Sequence, residues 1–190
     1  MTKYQEEFYK FVVDPENFDA ICDMVDNFAD VREKLIYDFW TDVKIRCEEL
    51  LTSNRGWKVY ISEFDGPDPE ITLYREEFYT KDTHEECEFS ISIGASSSVG
   101  IYGLWFCPEP IIFNKDKLLK IAKENKIIGW KYGSNFPYYK YFPEDFSELS
   151  SLKKIHPNNR NSLVQQYAND LMDAIKDLEP FINKHILKAK

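Results

Sequence analysis

Glycine and histidine are scarce in this chain, with seven and three among 190 residues. Little glycine leaves little material for phosphate-cradling loops, and no GxxxxGK(S/T) run is present. The one small-residue stretch, Gly94-Ala95-Ser96-Ser97-Ser98-Val99-Gly100, lacks a lysine and reads as a hairpin turn. A GxSxG nucleophile elbow and an HExxH pair are also missing. His84, His156 and His185 are far apart in sequence and fall near expected turns or the end of the chain. A zinc site needs such ligands to converge with cysteines or carboxylates. Only His84 and Cys87 have a local offset, and nothing nearby completes a set.

Cysteine is sparse too. Cys22, Cys47, Cys87 and Cys107 form no CxxC pair and read as reduced thiols packed as small apolar groups. No apolar run approaches the ~20 residues of a membrane span. The start, Met1-Thr2-Lys3-Tyr4-Gln5-Glu6-Glu7, has no apolar stretch of a secretory signal. These absences imply a cytoplasmic protein without membrane attachment. No metal and no cofactor are expected.

Aromatic residues are plentiful: 14 Phe, 12 Tyr and 4 Trp. With 43% hydrophobic and 30% charged residues, the chain has the composition of a folded domain rather than a disordered one. Its length fits one α+β domain over 1–190, helical over 1–54, a β-meander over 57–106, and a helix, an aromatic loop and a terminal helix over 111–190.

The net charge of −9 is unevenly spread. Residues 1–110 carry 24 acids against 10 bases, and residues 111–190 carry 9 acids against 14 bases. Phosphates would be repelled by the first part, so general nucleic-acid binding is not expected. A basic protein surface would be attracted to it.

Hydrophobic spacing supplies the elements. Tyr4, Phe8, Phe11 and Val12 recur at helical intervals. Asp14-Pro15 reads as the start of a second helix, carrying Phe18, Ile21, Cys22 and Val25. A stronger amphipathic helix is expected from about Phe28 to Thr52, with Val31, Leu35, Phe39, Val43 and Leu50 on one face and a stop at Asn54-Arg55-Gly56. The period then becomes two. Trp57, Val59 and Ile61, then Ile71, Leu73 and Phe78, then Cys87, Phe89, Ile91, Ile93 and Ala95, then Val99 to Phe106, predict an antiparallel meander of about four strands. Lys115 to Asn125 reads as a helix capped by Asn114. Ile127 to Tyr132 fits either a strand or an extended loop. Gly133 to Asp145, rich in proline and aromatics, reads as an ordered loop over the core. Asn159 to Ile186 is a long helix that Pro180 should bend or interrupt.

Chemistry-bearing clusters are few. Glu63, Asp65, Asp68 and Glu70 surround a proline-rich turn without EF-hand spacing and read as a solvated acidic turn. The D/E-x-K element of metal-dependent nucleases is absent from the predicted strands, and its nearest match, Asp42-Val43-Lys44, falls on a helix. No catalytic residue is assigned.

Two groups remain as candidate binding residues. Asp19, Asp23, Asp26, Asp30, Glu33, Asp38 and Asp42 punctuate the N-terminal helices, either as a solvated face or as a row of spaced charges imitating phosphates. Trp130, Tyr132, Tyr138, Tyr139 and Tyr141 crowd a short stretch with Lys131 and Lys140, as core cover, as a protein-contact hot spot or, third in weight given the overall acidity, as a platform for bases of single-stranded nucleic acid. The leading expectation is a non-enzymatic protein-binding protein that docks on a basic partner: an inhibitor, immunity protein or phage-type antagonist of a nucleic-acid-handling enzyme. The alternative is a small-ligand binder or enzyme with a site between the meander and the 130–142 loop, using Glu88, Tyr102 and Tyr138. Oligomeric state is left open.

Overall fold

The computed structural model describes residues 2–52, 56–62, 70–80, 83–94 and 99–187. The acidic turn of Glu63, Asp65 and Asp68, the stop residues Asn54 and Arg55, and the turn at Ser96–Ser98 lie outside the described residues, as do the side chains of Thr80, residues 83–86 and Val99.

The fold is α+β, with N-terminal helices, an antiparallel sheet and a long C-terminal helix. Helix α1 spans Lys3–Val12 and starts in a capping box, with the Thr2 hydroxyl accepting from the Gln5 amide and the Gln5 side chain accepting from the Thr2 amide. Helix α2 spans Pro15–Leu51. Asp14 caps it as its sequence suggests, its Oδ1 accepting from Glu16 N at 2.9 Å. The expected break before Phe28 does not occur. Residues 23–30 contain neither Gly nor Pro, so nothing interrupts the hydrogen-bond ladder, and two expected helices are one.

The main sheet has strand order β1 (Lys58–Ile61), β2 (Glu70–Tyr74), β5 (Phe89–Gly94), β6 (Val99–Phe106) and β7 (Tyr138–Asp145), with every pair antiparallel. A small second ladder pairs β3 (Tyr79–Thr80) with β4 (Thr83–Cys87). Phe78 is not in β2 as its spacing suggested. It ends a 3-10 turn, Glu76–Phe78, that inserts its ring into the core.

The fifth strand is the main departure from expectation, because β7 occupies the stretch read as a loop. Tyr138 and Phe142 point to the core while Tyr139 and Tyr141 point away, the alternation of a strand. Pro143 is tolerated within it because β7 is an edge. The register slips between Val99↔Asp145 and Ile101↔Tyr141, leaving the extra residues on β7 around Pro143.

Helix α3 (Lys115–Glu124) begins at Asn114, whose side chain accepts from Lys117 N at 2.9 Å. After β7 come α4 (Leu149–Lys154) and α5 (Asn161–Phe181). Pro180 sits at the end of α5, where the helix passes into a π-turn over Ile182–Ile186. Residues 127–132 form a turn with one bridge, Lys131↔Tyr139.

The core lies between the sheet and the α2–α5 pair. Strand residues Ile71, Leu73, Phe89, Ile91, Ile93 and Leu104 meet helix residues Phe39, Val43, Leu171 and Ile175, all essentially inaccessible. At one end, Phe39 and Trp40 of α2 pack against Phe142 and Phe146 and against Tyr167 of α5, with ring centroids 5.4–6.2 Å apart. Tyr167 stacks on Phe142 at 4.1 Å. At the other end, Glu179 of α5 accepts from Trp57 Nε1 at 3.1 Å and from Arg75 Nη1 at 2.9 Å. The Arg75 guanidinium also lies over the rings of Trp57 and Phe78.

The sheet's second face carries the row Tyr60, Thr72, Ser92, Gly103 and Tyr139. Gly103 is required by close approach: a Cβ there would stand 2.0 Å from the Tyr138 carbonyl oxygen and 2.8 Å from Tyr139 Cα. Gly94, whose Cβ would meet only ordinary contacts from 3.5 Å outward, is under no such constraint. Gly103→Ala is therefore expected to lower stability by about 2–3 kcal/mol as β7 is pushed off β6. Gly94→Ala should cost less than about 0.5 kcal/mol. Urea midpoints of the two variants check this.

Candidate functional site

The acidic row on α2 divides into two parts. Asp19, Asp23, Asp26, Asp30 and Glu33 follow one another at intervals of four and three residues. At about 100° per residue they fall within an arc of roughly 80°, one continuous stripe. Asp38 and Asp42 have turned roughly 100–140° away from Asp19. Both are engaged inside the molecule, Asp38 with Lys34 and Asp42 with Arg160 Nε at 2.7 Å. Among the described residues, no basic side chain pairs with the five acids of the stripe. Of the row of seven, five thus share one exposed face, while Asp42 ties α2 to the start of α5 and Asp38 pairs within its own helix.

Opposite the stripe, α2 is mainly apolar, with Asn17 and Arg32 as polar members of that side. Ile21, Phe28 and Leu35 lie on the line that further along carries Phe39 and Val43 into the core. No described residue before Ile36 is buried. Phe28 is 50% exposed and Val25 69%.

The aromatic group is divided between two faces of the sheet edge. Tyr139 and Tyr141 sit together on the outer face at 5.5 Å, with Lys131 Nζ 4.3 Å from the Tyr141 ring. Tyr138 is buried, its Oη 2.6 Å from Asn125 O and 3.2 Å from Ala122 O, so it secures the end of α3. Burial pushes its phenol up to about 12. Trp130 packs edge-on to Tyr102 at 6.0 Å, donates to Asp177 Oδ2 at 2.9 Å and lies under Lys140. Tyr132 is exposed.

Trp130, Tyr132 and Tyr138 line one cavity of about 530 Å3 between the end of α3 and the 126–132 turn. Ile127 and Ile128 add apolar wall, and Lys123, Lys126 and Lys131 stand around it with no acid in the lining. A second cavity, about 660 Å3, opens on the outer sheet face beside Tyr60, Tyr79, Cys87 and Trp105.

Glu88, Tyr102 and Tyr138 do not form a shared site. Glu88 is buried and its Oε2 accepts from Ile111 N at 2.7 Å, which satisfies the backbone after β6. Tyr102 stacks on Phe142 at 4.5 Å within the core, where burial pushes its phenol up to about 12.

His156 accepts from the Asn158 amide at 3.3 Å, and His185 packs on Phe181. Among the described residues, no group of three His, Cys, Asp or Glu is arranged to hold a metal. Cys47 is buried and Cys87 half-buried, and desolvation pushes both thiols up to about 12, the reverse of an activated nucleophile. Cys22 departs from the apolar packing expected of it and is exposed.

One polar group escaped sequence reasoning. Glu144 of β7 is buried beside Tyr167 of α5, whose hydroxyl donates to its Oε2, and Lys154 approaches Oε1 at 3.3 Å. Burial, then the Glu144 hydrogen bond and charge, hold the Tyr167 phenol far above its ordinary value. With one oxygen held by a hydroxyl and the other by an ammonium, the carboxylate works as a lock between strand and helix. No local pattern announces it, because its members are distant in sequence and lie on different elements.

Comparison with protein families, with curated proteins and with solved structures gives no match to this chain.

Asp170 on α5 is half-buried and electrostatically strained. Desolvation raises its pKa, Lys140 opposes this, and Asp173 and Glu144 add to it. A carboxyl raised in the folded state penalises folding once it ionises, and the penalty is absent where it is protonated in both states. Asp170→Asn is thus expected to raise the melting temperature at pH 7, with the gain vanishing below the ordinary value of 3.8. Melting curves at pH 7 and pH 3 check the sign.

Proposed function

We propose that the protein is a non-enzymatic protein-binding protein whose acidic α2 stripe docks onto a basic surface of a partner, in the manner of an inhibitor, immunity protein or phage-type antagonist of a nucleic-acid-handling enzyme. The observation that carries this reading is the stripe itself: Asp19, Asp23, Asp26, Asp30 and Glu33 on one face, exposed or half-exposed and without internal ion pairs among the described residues. Its carboxylates advance by roughly 5 Å along the helix axis per charge. One strand of duplex DNA presents a phosphate about every 3.4 Å of axis, so the stripe offers a sparser row of the same sign. A basic surface evolved for phosphates would accept such a row, while nucleic acid itself would be repelled. Action in the cytoplasm, away from membranes, belongs to the same reading.

The test is capture on immobilised protein at low and high salt, beside a variant with the four aspartates changed to Asn and Glu33→Gln. Wild-type protein is expected to retain a basic partner at about 50 mM salt and to lose most of it at about 500 mM, where the Debye length has shrunk severalfold. The neutralised variant should capture none. Retention of the same partner by both proteins would contradict the reading.

A second reading rests on the Trp130 cavity. Its volume falls within the range of small-molecule sites, and its apolar walls with three lysines suit an amphiphilic anion. A ligand at about a hundred times its Kd would stabilise the fold by roughly 2.7 kcal/mol. A thermal-shift screen of aromatic and aliphatic carboxylates, followed by Trp130→Phe fluorescence, is expected to find a stabiliser whose quenching is lost in the variant. An unshifted melt across the screen would remove this reading.

A further inference from the structure

We propose that the apolar side of the N-terminal arm, residues 2–35, is the interface of a homodimer, with the acidic stripe left outward. This goes beyond the partner-docking reading and does not depend on it, because it uses the opposite face of α2.

Three observations lead there. The first is area. Tyr4, Phe8, Tyr9, Phe11, Phe18 and Phe28 are between 48% and 76% exposed. At 150–250 Å² per buried aromatic, these six rings alone present roughly 700 Å². Met24, Val25 and Val31, each at least 60% exposed, add to it. The largest apolar patch of a typical monomer is about 300–600 Å². A standard interface buries about 800 Å² per partner. Taken together, α1 and the first half of α2 expose about the aromatic area that one side of a dimer needs.

The second is continuity. The exposed line of Phe28 and Val31 continues through Leu35 into Phe39 and Val43, which pack in the core, with Arg32 standing on the same side of the helix. The same amphipathic face that packs on the sheet and α5 thus goes on beyond the last residue able to cover it. Pairing with an identical arm supplies a cover of the same chemistry, and closed two-fold pairing is the commonest assembly for such a self-complementary face.

The third is the placement of charge. Residues 1–33 carry nine acids and three bases, so two arms meeting at random would repel. The stripe centres on the side of α2 opposite Ile21, Phe28 and Leu35. Arms joined through the apolar side keep both stripes in water, where salt screens them. That geometry makes a specific prediction: added salt strengthens the dimer. An arm seated instead on the lysine-rimmed Trp130 cavity of a second copy would be held by opposite charges and weakened by salt.

The experiment is sedimentation equilibrium of the full chain from about 1 to 100 μM, at about 50 and 500 mM salt. The expected result is a species of twice the 22.5 kDa chain mass, tighter at high salt. The double variant Val25→Asp with Phe28→Asp should be monomeric throughout, with an unchanged near-ultraviolet spectrum because neither side chain touches the core. Should that variant fail to fold, Phe8→Asp on α1 supplies the same readout from a helix with no buried side chain. A monomer at every concentration, a dimer that salt dissociates, or a dimer that survives these folded variants would overturn the proposal. The neutralised stripe variant separates the two ideas: it should lose the basic partner and still dimerise.

Discussion

One apolar face of α2 organises this molecule, and its coverage decides what each part does. From Ile36 to Leu51 that face is sealed by the sheet and α5, with Phe39 and Trp40 wedged among Phe142, Phe146 and Tyr167. Replacing an aromatic so enclosed by alanine typically removes about 3–5 kcal/mol, a large part of the stability of an ordinary domain. The same contact joins three segments distant in sequence, the helix, the edge strand and the C-terminal helix. Before Leu35 no side chain of that face is buried, and the helix is held largely by its caps and its own ladder. An isolated helix of that kind is marginal in water, and the proposed pairing of two arms would supply its cover.

The rest of the fold follows from holding α5 on the same layer. Its near end is locked by the hydrogen bond from Tyr167 to Glu144, with Lys154 closing the carboxylate's other oxygen. Its far end is locked by Glu179, which takes both the Trp57 indole and Arg75. These hydrogen bonds and ion pairs tie the helix to the sheet and to the segments beside it. The exposed acids and the lysine-rimmed cavity stand outside this framework and are free to meet other molecules.

Much of this was legible in the sequence, for local reasons. Thr2 was not singled out, yet Asp14-Pro15 and Asn114 marked real helix starts, because capping depends on a residue and its immediate neighbours. The alternation of β5 and β6 was equally plain. Strand β7 was not, because Pro137 and Pro143 suggested a loop, and only the pairing with β6 reveals that an edge position with a shifted register tolerates Pro143. The acidic stripe could be read only in part. Its spacing shows that five acids share a face, whereas the capture of Asp42 by Arg160 depends on a contact between distant segments. The dispersal of Trp130, Tyr138, Tyr139 and Tyr141 has the same cause, since a strand sends neighbours to opposite faces once it exists.

The division of α2 is tested most directly by amide hydrogen exchange along that one helix at several protein concentrations. Amides from Phe39 to Leu50 are expected to exchange at the slowest, globally limited rate at every concentration. Amides from Phe18 to Asp30 should exchange orders of magnitude faster in dilute solution and become protected as concentration rises. Uniform protection along α2 in dilute solution, or exchange around Phe39 as fast as around Phe28, would contradict the account.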